Sequence, residues 1–205
     1  MYKVINNPLI NIKLSRIRAK ETKTQEFYQN LTEIAMMMSP YVFSDLKLKE
    51  TKIETPVSKT CGYEPAEKVL FVIILRAGLG FLEGFRTMLP FAKIGFLGMY
   101  RDEETLVPHD YYKRLPEDLA SYKIYILDPM LATGGSAIDA VSKIKELGGK
   151  DISFIALVGA PEGVKKVEEA YKDVKIYLAS LDEKLNEKGY IVPGLGDCGD
   201  RIFGF

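Results

Sequence analysis

The sequence predicts a doubly wound α/β fold, a mostly parallel sheet flanked by helices and preceded by an N-terminal helix and β-hairpin extension. From residue 69 onward, short apolar runs recur: VLFVIIL, KIGFLGMY, KIYIL, ISFIALV and KIYLAS. They are dominated by β-branched and aromatic residues, and unbroken runs of this kind suit strands covered on both faces, as in a parallel sheet. Between several of them lie the helical patterns FLEGFRTML, SAIDAVSKIKEL and EGVKKVEEAYK. In the second, Ala137, Ile138, Val141, Ile144 and Leu147 share one face, and Gly148-Gly149 supplies a stop. In such sheets ligands sit at the carboxyl ends of the strands.

The elements upstream read differently. TQEFYQNLTEIAMMMS, residues 24–39, spaces Phe27, Leu31, Ile34, Ala35 and Met38 as one helical face, with a bend or end expected near Pro40. Met36–Met38 reads as core or interface packing. LKETKIETPVSKTCGY alternates polar and β-branched residues, as a hairpin or edge strands do. No linker, repeat or low-complexity stretch divides residues 1–205, so a single domain is expected.

Composition narrows the function classes. The chain is 47% hydrophobic, enough for a core, and Lys plus Arg equals Asp plus Glu at 28 each. No global field steers nucleic acid or an anionic membrane, so neither is an expected partner. No run approaches the roughly 18–20 apolar residues of a membrane span. MYKVINNPLINIKL lacks the unbroken apolar core of a signal peptide. Cys61 and Cys198 are the only cysteines and lack C-x-x-C spacing, which argues against a disulfide framework or zinc cluster. With His109 the lone histidine, a multi-histidine metal site is impossible. A soluble cytoplasmic protein is the expectation.

Two glycine patterns mimic dinucleotide-binding motifs and fail on context. GLGDCG (Gly194, Gly196, Gly199) matches G-x-G-x-x-G, but no strand–turn–helix unit surrounds it. In RAGLGFLEG the third glycine comes one residue late, and GGS is not followed by the lysine of a P-loop. ILDPMLATGGSAID, residues 126–139, has better chemistry. Its loop leads from a strand's carboxyl end into a helix amino terminus, where free N–H groups and the helix dipole favour a phosphate. Gly134 and Gly135 let the backbone wrap closely, Thr133 and Ser136 add hydroxyls, and Asp128 can accept from sugar hydroxyls or from water around a metal. On geometry alone a plain glycine turn with a serine cap fits equally well.

Arg76 directly after an apolar strand asks for an anionic partner if buried, or for a strand-end salt bridge. Arg101 opens RDEE, which also reads as a solvated charge run. His109 sits beside Pro108, and a general-base role is not expected of it.

Four ordered stretches resemble one family. The strand, acid, small-residue loop and T-G-G-S of residues 126–139 resemble the phosphoribosyl diphosphate (PRPP) motif of type I phosphoribosyltransferases. Most members carry two adjacent acids. Here the second is Pro129, and that departure, with the wording DPMLATGGS, resembles the uracil phosphoribosyltransferase family in particular. ILRAGLGFLEG resembles that family's diphosphate-binding loop, GMYRDEETLVPHDYYKRLP its arginine and flexible active-site segment, and YIVPGLGDCGDRIFG its carboxyl-terminal uracil signature. The N-terminal fragments NPLI and IETP fit more loosely.

The resemblance implies transfer of the phosphoribosyl group of PRPP to uracil, giving UMP and diphosphate. It implies that Asp128, Pro129, Met130, Leu131, Ala132, Thr133, Gly134, Gly135 and Ser136 hold the ribose 5-phosphate portion, with Asp128 facing the ribose hydroxyls. Arg76, the Ala77-Gly78 backbone and Arg101 contact the diphosphate. Ile191, Gly196, Asp197 and Cys198 receive uracil, Asp197 also lying beside PRPP. Arg101, Asp128 and Asp197 are the implied catalytic residues, and Tyr111, Tyr112 and Lys113 belong to a segment that closes over the site.

Mg²⁺ is the implied cofactor, held through PRPP and water with no direct protein ligand. GTP is an implied activator, and homodimers or homotetramers are the implied assemblies. Cys198 stands where the family has alanine; it is small enough for uracil to fit, and its thiol is expected to make the site sensitive to oxidation. RAKET replaces the RDK-T wording near the N-terminus, and the chain ends in FGF rather than a polar sequence. Two alternatives stay open: a transferase for another base, and a PRPP- or UMP-sensing pyrimidine regulator of the same fold that binds RNA.

Overall fold

The computed structural model describes residues 1–101 and 108–205; at 99–101 and 108–110 it describes the backbone. A short strand β1 (Tyr2–Val4) precedes helices α1 (Pro8–Arg18) and α2 (Thr24–Val42). An antiparallel hairpin follows, β2 (Leu48–Glu54) and β3 (Lys59–Pro65), in register from Leu48↔Pro65 to Glu54↔Lys59. Then come β4 (Lys68–Leu75), α3 (Leu79–Met88), β5 (Lys93–Arg101), β6 (Pro108–Arg114), β7 (Tyr122–Leu127), β8 (Met130–Leu131) and α4 (Gly135–Glu146). The chain finishes with β9 (Asp151–Gly159), α5 (Pro161–Ala170), β10 (Lys175–Leu181), β11 (Lys184–Leu185), β12 (Ile191–Val192) and α6 (Cys198–Phe203).

The main sheet has eight strands in the order β1-β10-β9-β7-β4-β5-β6, with β8 added against β9. Every pairing in it is parallel except β5 with β6, so the fold is the doubly wound, mostly parallel one that the apolar runs predict.

Side chains alternate between the two sheet faces with the period of two that a strand imposes. Val69, Phe71 and Ile73 of β4 enter one apolar cluster beneath α1, α2, α3 and α6. Leu70, Val72 and Ile74 enter the other, beneath α4 and α5. The central strands are therefore apolar along most of their length, with Lys123 and Ser153 as buried exceptions. An aromatic knot stiffens the first face, with the Phe43 ring edge-on to Tyr125 at 5.1 Å and to Phe85 at 5.8 Å.

One expectation, that for Leu147, is corrected here. Helix α2 ends at Val42, two residues past Pro40, near where its end is expected. A proline in the last turn removes only one intrahelical hydrogen bond, and burial of Val42 in the core holds that turn in place. Leu147 does not share the buried face of α4: the helix ends at Glu146, and Leu147 is its exposed C-cap. In the methionine cluster Met38 is fully buried, whereas Met36 and Met37 are half-buried.

Candidate active site

The chain leaves β4 toward β5 on one side of the sheet, whereas β7, β9 and β10 extend the other side. The switch point therefore lies between the carboxyl ends of β4 and β7, where doubly wound sheets bind ligands. Leu75–Arg76 ends one strand and Leu127–Asp128 the other.

The loop after β7 is knitted to the sheet rather than free. The Asp128 N–H donates to Ile155 O at 3.2 Å, and Pro129 O accepts from the N–H groups of Leu157 and Val158 at 2.9 and 3.0 Å. The chain then pairs as β8 with β9 before turning at Gly134, whose φ of +79° belongs to the left-handed region that glycine tolerates. Helix α4 starts at once, with no side chain capping its first N–H groups. Those donors and the positive end of the helix dipole face a cavity of about 60 Å³ bounded by the 130–137 backbone.

A larger cleft of about 670 Å³ opens beside it. Ala77, Asp128, Met130, Ala132 and Ser136 line it together with Ile191, Gly196, Asp197 and Cys198. Nine predicted site residues from three distant parts of the chain thus meet around one space, while Leu131, Thr133, Gly134 and Gly135 line the adjoining small cavity.

Asp128 is half-buried at the mouth of its strand. Loss of solvent raises its carboxyl to about 7, partly opposed by the Met130 N–H, which donates to its Oδ1 at 3.3 Å. Also on the cleft, exposed Asp197 caps α6, its Oδ1 accepting the Asp200 N–H at 2.9 Å. Cys198 is buried, and desolvation reinforced by the charges of Asp128 and Asp197 pushes its thiol well above the ordinary range. A thiol kept protonated and covered is a poor nucleophile. The expected oxidation sensitivity at Cys198 is therefore corrected: it packs as a small apolar residue.

Other predicted residues sit elsewhere. Arg76 is exposed rather than buried; it lies 3.6 Å from Asp200 and its guanidinium stands 5.6 Å from the Phe205 ring. Gly78 is covered against the end of β7, where a β-carbon would lie 2.4 Å from Leu127 O. Arg101 ends β5, but its side chain, like that of His109, lies outside the described residues, as does all of 102–107. Tyr111, Tyr112 and Lys113 are in β6, an exposed edge strand separated from β7 by β4 and β5. They do not reach the cleft.

Besides Gly199, three residues of the cleft escaped the sequence reading: Lys188, Gly189 and Tyr190. These three form the turn between β11 and β12, where Asn186 Oδ1 accepts the N–H groups of Lys188 and Tyr190, both at 3.0 Å. An asparagine two residues before a lysine-glycine pair is the available signal for such a turn. It carries no sign of what the turn faces.

A purine phosphoribosyltransferase from Pyrococcus horikoshii superposes with a TM-score of 0.51 at 12% identity, over 75% of this chain and 87% of that one. The fold is thus that of the phosphoribosyltransferases. A solved structure from Aquifex aeolicus matches far more closely, with a TM-score of 0.93 and 41% identity over 99% of this chain and 98% of that one. The uracil phosphoribosyltransferase of Streptococcus salivarius is 54% identical over 204 residues, 99% of this chain and 98% of its own. The uracil phosphoribosyltransferase family model matches residues 4–205, and the chain belongs to that family.

Proposed function

We propose that this protein transfers the phosphoribosyl group of PRPP to uracil, releasing diphosphate and forming UMP. The observation that carries this reading is the meeting of the Asp128–Ser136 loop with Ile191 and Gly196–Cys198 around one cleft. The first group has the chemistry for a sugar phosphate and the second for a flat, uncharged ring.

In this reading the 5-phosphate rests on the amino end of α4, held by backbone N–H groups and the hydroxyls of Thr133 and Ser136. Asp128 accepts from the ribose hydroxyls. The backbone around Ile191 and Gly196–Cys198 reads the edge of uracil, telling a ring whose position-4 group accepts from one whose group donates. Arg76, the Ala77-Gly78 backbone and Arg101 take the diphosphate. Breaking the glycosidic bond builds positive charge on the ribose, which the carboxylates of Asp128 and Asp197 stabilise. Binding both phosphate ends aligns C1 of the ribose with uracil N1.

Mg²⁺ fits as an ion carried by the substrate. Among the described residues no cluster of three or more carboxylate, thiol or imidazole groups is placed to hold a metal, while the carboxylates of Asp128 and Asp197 face the cleft. There the ion supplies neutralisation of diphosphate charge. Closure of residues 102–116, with Tyr111, Tyr112 and Lys113, covers the bound substrates in this reading. Cytoplasmic location, a homodimer or homotetramer and activation by GTP complete it. No helix among the described residues is long and apolar enough to cross a membrane.

The test is UMP formation from uracil, PRPP and Mg²⁺ by the purified protein, with cytosine, orotate and hypoxanthine in parallel. Turnover of uracil alone supports the reading. Turnover of another base changes the substrate, and PRPP binding without turnover of any base points to the sensing regulator.

A further inference from the structure

The loop after β12 carries the base-facing residues, and two arginines from opposite ends of the chain grip it from behind. Arg18, the last residue of α1, donates from Nη1 to Gly194 O and to Asp182 Oδ2, each at 2.7 Å. Its Nη2 donates to Asp182 Oδ1 at 2.5 Å and to Ser180 Oγ at 3.1 Å. Asp182 completes the ring by accepting the Gly194 N–H at 2.8 Å. Both backbone polar groups of Gly194 are therefore held, one by the arginine and one by its partner acid. Arg201 of α6 continues the grip, donating to Leu195 O at 2.9 Å, Ile17 O at 2.6 Å and Ala19 O at 2.7 Å. Its guanidinium lies over the Phe27 ring at 4.5 Å.

This network is part-buried and charged, with its acid fully covered. The Asp182 side chain is only 2% exposed. Burial works against its charge, but hydrogen bonds from Arg18, Ser180 and Gly194 more than offset this and hold its carboxyl below the ordinary range. A fork of this kind fixes direction as well as distance, which an ammonium does not do. What it fixes are the carbonyls of Gly194 and Leu195, the two residues immediately before Gly196.

We infer that Arg18 and Arg201 are positioning residues for base recognition: from outside the pocket they set the path of residues 193–196, and so the edge presented to uracil. The inference rests on the proposed transferase reading. Neither arginine lines the cleft, and the phosphate loop is built on separate elements, β8 and α4. Their loss therefore acts mainly on the base side of the cleft and leaves the phosphate loop in place.

The test is steady-state kinetics of Arg201→Ala, Arg201→Lys and Arg18→Lys, with thermal melting and calorimetric binding of PRPP to each. Arg18→Ala is avoided because it strands the buried Asp182 charge. For Arg201→Ala the expected result is a KM for uracil raised about tenfold or more, the effect of losing a charged donor to a fixed carbonyl. PRPP affinity stays within about twofold, and the preference for uracil over cytosine weakens. Arg201→Lys restores part of the loss, and Arg18→Lys, which keeps the charge but not the fork, shows the same split. A proportional rise in both KM values, or a fall in melting temperature with both unchanged, overturns the inference alone. Absence of uracil turnover in the unmodified protein overturns the transferase reading, and this inference with it.

Discussion

The carbonyl oxygen of Ala132 lies 2.1 Å from where a β-carbon on Gly163 would stand. The first turn of α5 therefore packs directly beneath the phosphate loop, and only a residue without a side chain permits that approach. Gly163 O also lies 3.0 Å from a β-carbon built on Gly134. The floor of the loop is thus set by a helix that itself stays out of the cleft. Gly163→Ala is expected to push the loop away, lowering stability by about 1–3 kcal/mol and raising the KM for PRPP about tenfold or more. Kinetics and a denaturant melt check both. Unchanged PRPP kinetics at reduced stability would show that the loop does not depend on this contact.

Asp128 has consequences for both activity and pH. Asp128→Asn is expected to lower turnover more than tenfold through loss of its charge. In the unmodified protein, kcat/KM for PRPP should climb as pH rises through about 7, where the carboxyl ionises. The variant should lack that limb, and full activity in it would show that the charge is unnecessary.

Stability should move the opposite way. A carboxyl raised to about 7 in the fold, from an ordinary value of 3.8, binds more protons folded than unfolded in that interval. Its contribution is therefore neutral below about pH 4, grows unfavourable toward pH 7 and stays so above, with a magnitude of about 2–4 kcal/mol. Urea melts should show Asp128→Asn gaining on the unmodified protein between pH 5 and 8. A constant difference across that range would place the carboxyl's folded pKa near its ordinary value.

Lys188 brings a positive charge to a cleft whose carboxylates are Asp128 and Asp197. Lys188→Ala is expected to raise the KM for PRPP about threefold to tenfold at low salt, with little change in kcat. That difference should vanish at high ionic strength, since the side chain is exposed. An equal effect on the uracil KM would move Lys188 from substrate binding to support of the base loop.

The two cysteines should behave oppositely toward an alkylating reagent. Cys61 is exposed on β3, whereas Cys198 is buried with its thiol held protonated. Mass spectrometry after treatment of the folded protein should find label on Cys61 and, only after denaturation, on Cys198. Activity should survive the labelling. Native modification of Cys198 with parallel loss of activity would restore it as a redox-sensitive group.

Elements whose pattern is local were legible in advance. The strands of the central sheet announce themselves because burial on both faces leaves mostly apolar residues. The phosphate loop does so because a left-handed turn and a close helix start require glycine. Helix α1 was missed although its signal is present: Asn7 caps it, its Oδ1 accepting the Leu9 N–H at 2.9 Å, and Pro8 occupies the first turn. Its buried Ile10, Leu14 and Ile17 recur at helical spacing, but the exposed Leu9 and Ile12 blur the contrast between its faces. Strand β6 reads as polar loop because it forms the sheet's edge, and β1 has only three residues, all exposed.

By itself the sequence determined the fold class, the family and the two loops that line the cleft. Each is encoded by residues adjacent in the chain, where glycine, proline and apolar spacing act over a few bonds. Only the tertiary structure decided that Gly163 floors the phosphate loop, that Lys188 reaches the cleft, that Arg76 stands exposed beside Asp200, and that Arg18 holds Gly194. These relationships depend on groups brought together by the order of strands in the sheet. Chain spacing carries no imprint of them, because a hydrogen bond between residues 176 positions apart constrains neither neighbourhood until the fold has closed.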